Sequence, residues 1–144
     1  MSHTSTIKKV SIKDGDAIGQ AIQNLQSMGI RCNLKKNAVP RMFYKDQHGK
    51  CDLVLELQDS RYDLGFQKGE DGSYDIVCDL WGGDIAKQLG VSGGSGAEYA
   101  IGKFSQQYAV EAAKNNAVSQ GYSVDECTID DNGNIQLTIS SYNL

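Results

Sequence analysis

The run 51–82 constrains the fold of this chain more than any other part, because three stretches in succession alternate with period two. Leu53, Leu55 and Leu57 fall on one side and Asp52, Val54 and Glu56 on the other, the pattern of a strand with one buried face. Tyr62, Leu64 and Phe66 repeat it, with Asp63 and Gly65 between them. Lys68, Gly69, Glu70, Asp71, Gly72 and Ser73 read as a loop: the two glycines permit a positive φ and the polar side chains stay solvated. Tyr74, Ile76 and Cys78 then resume the alternation. Connections this short cannot carry parallel crossovers, so the run predicts an antiparallel meander.

The flanks add helices and further strands. Ile7, Val10 and Ile12 predict an opening strand, after which Asp14 or Asp16 is placed to cap a helix. Ile18, Ile22, Leu25 and Met28 recur at helical spacing up to the stop at Gly29. Residues 30–37 read as a second strand, and 37–41, with the only proline, as a bend. Met42, Phe43 and Tyr44 are expected to pair back before a turn at 46–49. Beyond the meander come a short helix at 84–89, a flexible connection at 90–96 and a longer helix at 97–120. On the longer helix Ile101, Phe104, Tyr108, Ala112 and Val118 form the expected inner face, and Gly121 the C-terminal stop. Residues 122–129 and 135–139 predict a hairpin around 130–134, whose Asn132-Gly133 is a strong turn pair. The order β-α-β-β-β-β-α-β-β predicts one α+β domain over residues 1–144. It is a two-layer sandwich with a mostly antiparallel sheet and two main helices on one face.

Composition narrows the class. At 144 residues, 40% hydrophobic and 22% charged, the chain can bury a core without staples and reads as a soluble globular protein. No apolar run approaches the roughly 18 residues of a membrane span, so no membrane partner is expected. The start lacks the apolar segment of a secretory signal, which makes a cytoplasmic or stromal location the expectation. Cys32, Cys51, Cys78 and Cys127 form no C-x-x-C pair, which argues against a zinc ribbon or redox dithiol and for small buried thiols. The net charge of −4 is uneven: residues 1–50 carry nine Lys/Arg against three Asp/Glu, and the rest five against fifteen. Such asymmetry signals either an anionic partner for the basic part or basic and acidic strands lying side by side.

Several of these residues, taken in order, carry a family likeness. Met1-Ser2-His3, Asp63-Leu64-Gly65-Phe66, Tyr74 with Val77-Cys78-Asp79-Leu80-Trp81-Gly82, Gln107-Tyr108-Ala109 and Gly121-Tyr122 span nearly the whole chain. Together they resemble the small proteins known from cyanobacteria and plastids as hypothetical chloroplast reading frame thirty-five. Thr4, where an aromatic residue is usual, and the glycine-rich 90–96 depart from that pattern, as a divergent host protein or a phage-borne relative would. The resemblance implies a small soluble protein of plastid or cyanobacterial type, and it brings no activity with it.

No constellation reads as catalytic. His3 is a candidate strand anchor, or a copper or nickel ligand only if Met1 is retained. His48 lies in a polar turn, and two distant histidines support neither a Cys-His nor a Ser-His-Asp system. The glycines of 90–96 lack the lysine of a phosphate-binding loop, and 130–133 lacks the bidentate Glu of a calcium loop. Asp63 and Asp79, beside Trp81, read first as strand acids or backbone-turn acceptors, and second as a ligand or enzyme site. Trp81 itself reads as a core anchor at the end of the sheet. No cofactor or metal site is expected.

The basic segment 31–50 carries most functional weight, mixing cations with Phe43 and Tyr44. The first expectation is a non-enzymatic accessory module that binds a protein partner through Arg31, Lys35, Lys36, Arg41 and Tyr44. The alternative is single-stranded nucleic acid or another anionic ligand on the same segment, which uses the same two ingredients.

Overall fold

The meander forms the centre of a five-stranded sheet. β1 (Thr4–Ile12), β2 (Cys32–Ala38), β3 (Cys51–Leu57), β4 (Leu64–Lys68) and β5 (Tyr74–Asp79) lie in the order β1-β5-β4-β3-β2. Every pairing is antiparallel. The computed structural model describes residues 4–44, 48–92, 96–129 and 135–141. His3, the loop tips 45–47 and 93–95, and the turn 130–134 with its Asn132-Gly133 lie outside the described residues.

Period two decides which side chains face the helices. The register aligns Leu55, Leu64 and Cys78 across three strands, and Leu53, Phe66 and Ile76 in the next row. Against this face lie α1 (Gly15–Ser27) and α4 (Gly102–Ser119), which also pack on each other. The α+β class with helices on one face of an antiparallel sheet is therefore what the chain adopts. Asp14 is the N-cap: its Oδ1 accepts from Ala17 N at 3.0 Å and its carbonyl from Ile18 N at 3.2 Å. Ala17, Ile18, Ala21, Ile22 and Leu25 are buried, and each large aliphatic contributes roughly 1.5–3 kcal/mol. Met28, expected on that face, is exposed because it already lies at the C-cap. On α4, the Phe104 ring meets Phe66 at 5.0 Å. Tyr108 Oη accepts from the Lys13 and Asp14 amides at 3.0 and 3.1 Å, tying the β1–α1 turn to α4.

Three expectations differ from the structure in detail. The helix at 97–120 is broken into α3 (Gly96–Ala100) and α4, following α2 (Asp84–Leu89). The Tyr99 carbonyl accepts from Val91 N at 3.1 Å, and Ile101 leaves helical dihedrals at φ −112°, ψ 13°. Val118 is exposed and Ala117 is buried in its place. At 3.6 residues per turn, position 117 lies about 20° from the buried Val110 around the helix, whereas position 118 lies about 80° from both Val110 and Tyr108. The hairpin of β6 (Tyr122–Ile129) and β7 (Ile135–Ser141) forms its own two-stranded sheet on α4. An 18-residue helix, about 27 Å long, delivers the chain away from the main sheet.

Candidate functional site

The second face of the sheet is also buried. Val54, Gly65 and Val77 form its central row, and no helix is needed to cover them because the segment 39–44 crosses over it. Residues 42–44 do not pair back as a strand. β3 is already paired with β2 and β4, so the returning chain finds no free edge there and runs across the face as a strap. Pro40 and Met42 are the strap's buried side chains. Gly65 makes the seat: a Cβ there would stand 3.0 Å from Pro40 Cγ and 2.7 Å from Cys51 Sγ.

Two buried carboxylates fasten the strap. Asp63 is 2% exposed, and its Oδ2 accepts from Arg41 N and Arg41 Nε, both at 2.9 Å. Its Oδ1 accepts from Arg41 Nη2 at 2.7 Å and Leu57 N at 3.2 Å. The Asp63 amide returns a bond to the Arg41 carbonyl at 3.1 Å, and Arg41 Nη2 reaches the Leu57 carbonyl at 2.6 Å. The hydrogen bond to the Asp63 carboxylate raises the Arg41 guanidinium pKa. Asp79 is 0% exposed; Oδ2 accepts from Phe43 N at 3.1 Å and Oδ1 from Trp81 N at 3.0 Å. Both acids are thus backbone acceptors, and neither presents an oxygen to solvent.

Held this way, the strap displays aromatic surface. Tyr44 is 58% exposed and Phe43 about as open, with ring centroids 4.9 Å apart, edge to face. Phe43 meets Trp81 at 5.5 Å in the same manner. Trp81, expected as a core anchor, is 37% exposed; Leu80 packs against the core instead, while Asp79 turns the next amide back. Arg61 lies 5.6 Å over the Trp81 ring and 5.2 Å from Tyr62. Asp84 grips that guanidinium at both ends, at 2.8 and 2.9 Å, and takes the Arg61 amide at 3.0 Å. The side-chain hydrogen bond from Arg61 pulls the Asp84 pKa down to about 2.

The basic segment does not converge on one patch. Arg31 pairs with Asp59, Lys35 with Glu56 at 2.8 Å, and Arg41 with Asp63. Lys36, one residue on from Lys35, lies on the helix side of β2. Of the five candidate contact residues, Tyr44 belongs to the aromatic patch, Arg41 supports it from beneath, and Arg31, Lys35 and Lys36 lie elsewhere. Of the ligand candidates, Asp63 and Asp79 fasten the strap and Trp81 is displayed by it. Arg61 and Asp84 escaped the sequence reading, since partners 23 residues apart leave no periodic mark.

Thiol chemistry finds no support here. Cys51 Sγ lies 3.7 Å from His48 Nδ1, yet burial pushes its thiol up to about 11, away from a reactive thiolate. Burial takes Cys78 to about 12. Among the described residues no three His, Cys, Asp or Glu side chains are grouped to hold a metal ion, and no helix is long and apolar enough to cross a membrane.

Comparison with known proteins places this geometry. The model of a family described as "Protein of unknown function (DUF1257)" matches residues 24–138. The "Uncharacterized protein ycf35" of Guillardia theta is 31% identical over 142 residues, covering 99% of this chain and 98% of that protein. No solved structure matches.

Proposed function

This chain belongs to the DUF1257 family of proteins of unknown function, and from its geometry we propose that it is a non-enzymatic module that docks a protein partner. The docking surface is the aromatic patch of Phe43, Tyr44 and Trp81, flanked by Arg61. One observation carries this reading: three large aromatic side chains stand in solvent on a segment fixed from below by buried ionic and backbone bonds. Exposed aromatics cost solubility, and Tyr, Trp and Arg are the residues enriched where binding energy concentrates. A strap already ordered loses little entropy on binding. The partner chemistry that fits is an apolar protein surface with an acceptor for Arg61.

A photo-crosslinking amino acid in place of Tyr44 tests this in the organism's own extract, with the same group at Lys114, on α4, as reference. A discrete adduct from position 44, absent from 114 and lost on Trp81→Ser, is the expected outcome. An adduct of twice the 15.6 kDa chain would mean self-pairing, and equal labelling from both positions would remove the proposal.

A further inference from the structure

On the opposite, helical side of the sheet lies an open groove of ≈ 1120 Å³, between the start of α1, the second half of α4 and the exposed ends of β2 and β4. We propose that this groove binds a small organic phosphate carrying at least two anionic groups. Three cations line it from three elements: Lys13 before α1, Lys36 on β2 and Lys68 on β4. None forms an ion pair among the described residues, whereas Arg31, Lys35, Arg41 and Arg61 all do; Lys68 lies 5.9 Å over the Tyr74 ring. The groove's own acids number two, Asp14, held by Ala17 N and by Asn115 Nδ2 at 2.9 Å, and the exposed Asp16, so the three lysines outnumber them.

Hydrogen-bond donors with nothing to bond to point to the same ligand class. Tyr108, 4% exposed, lines the groove, and its oxygen already accepts from two amides. A hydroxyl has two acceptor positions and one donor. With the oxygen accepting from both amides, its O–H proton has no protein acceptor among the described residues. The Tyr74 hydroxyl likewise has no hydrogen bond among the described residues. It lies at the first residue of α1, where a Cβ on Gly15 would stand 2.9 Å from it. Asp14 satisfies the Ala17 and Ile18 amides, and helix geometry gives the Gly15 and Asp16 amides no intrahelical acceptor. Donors of this kind at the start of a helix suit an oxyanion.

Two of the lysines approach the groove from different strands. Lys36 stands in register with Leu53 and Phe66, and Lys68 lies two residues further along β4. Two strand spacings and two residues put their backbones about 12 Å apart. Lysine side chains span about that distance from the two sides, which suits two linked anionic groups, as in a diphosphate. A single-stranded nucleic acid would need aromatic platforms along such a track, and the exposed Phe43, Tyr44 and Trp81 are on the other face of the sheet.

Titration of the full chain with pyrophosphate, inorganic phosphate and a short oligothymidylate, followed by backbone amide NMR, tests the proposal. Saturable pyrophosphate binding with shifts at Gly15, Asp16 and Tyr74 is expected, about ten-fold tighter than phosphate and weakened at least ten-fold by Lys36→Gln with Lys68→Gln. Both lysines are exposed, so the variant should fold; Lys68→Gln alone serves as a second probe and should lose affinity by several-fold. No saturation by about 10 mM pyrophosphate, binding indifferent to the lysine changes, or lysine-dependent binding of the oligonucleotide alone would each overturn it.

Discussion

Asp63 and Asp59 each hold an arginine, and burial makes them unequal. Asp63→Ala strips four acceptor bonds from a carboxylate 2% exposed, and about 3 kcal/mol of unfolding free energy should go with it. Arg31→Gln breaks a solvent-exposed pair and should leave the midpoint of a urea titration nearly unchanged, whereas Asp63→Ala should lower it clearly. Asp84 gives the pH dependence. Its folded pKa, about 2, lies below the ordinary carboxylate value near 4, so its contribution is complete above about pH 4 and is lost as pH falls from 4 towards 2. Arg61→Leu should raise the Asp84 carboxyl NMR titration midpoint towards the ordinary value, with the backbone amide of residue 61 and Lys87 still holding it somewhat low; an unchanged midpoint would show that the Arg61 side chain is not the cause. At this scale Asp79 was legible, because an acid two residues before an amide at a Trp-Gly turn is a local acceptor. Asp63 was not, since the arginine it holds is 22 residues upstream.

At the scale of elements, the meander, α1 and the hairpin were readable because period two and period 3.6 are local signals. The strap departs from the expected returning strand: Met42, Phe43 and Tyr44 have strand-like side chains, and only the occupied edges of β3 forbid pairing. Gly65 is the test of that packing. Gly65→Val places carbon against Pro40 and Cys51 and should cost about 1–3 kcal/mol. Trp81 fluorescence should shift to the red as the strap lifts and Phe43 leaves the indole. Unchanged stability with unchanged fluorescence would mean that the strap does not depend on this seat.

Over the whole molecule, the contrast between a basic first third and an acidic remainder resolves partly into neighbours. β2 runs antiparallel to β3, so Lys35 meets Glu56, and the turns beyond bring Arg31 to Asp59. The charge asymmetry therefore does not amount to one basic surface, and Lys35 and Lys36 lie on opposite faces of β2. Burial of Cys32, Cys51 and Cys78, against a half-exposed Cys127, makes thiol labelling a readout of the global fold. In native buffer one thiol should react quickly and three only through opening of the core, followed by mass spectrometry. Four equal rates would contradict the packing.

Alternation along the chain determined the meander, α1 and the final hairpin, and most of the side chains these turn to the core, because those choices depend on neighbours two to four residues away. The tertiary structure alone decided where the aromatic strap emerges, which carboxylate receives which arginine, and that three lysines share a groove. Those outcomes follow from the strand order β1-β5-β4-β3-β2 and from α4 folding back on α1, which join residues far apart in the chain and leave no period to read.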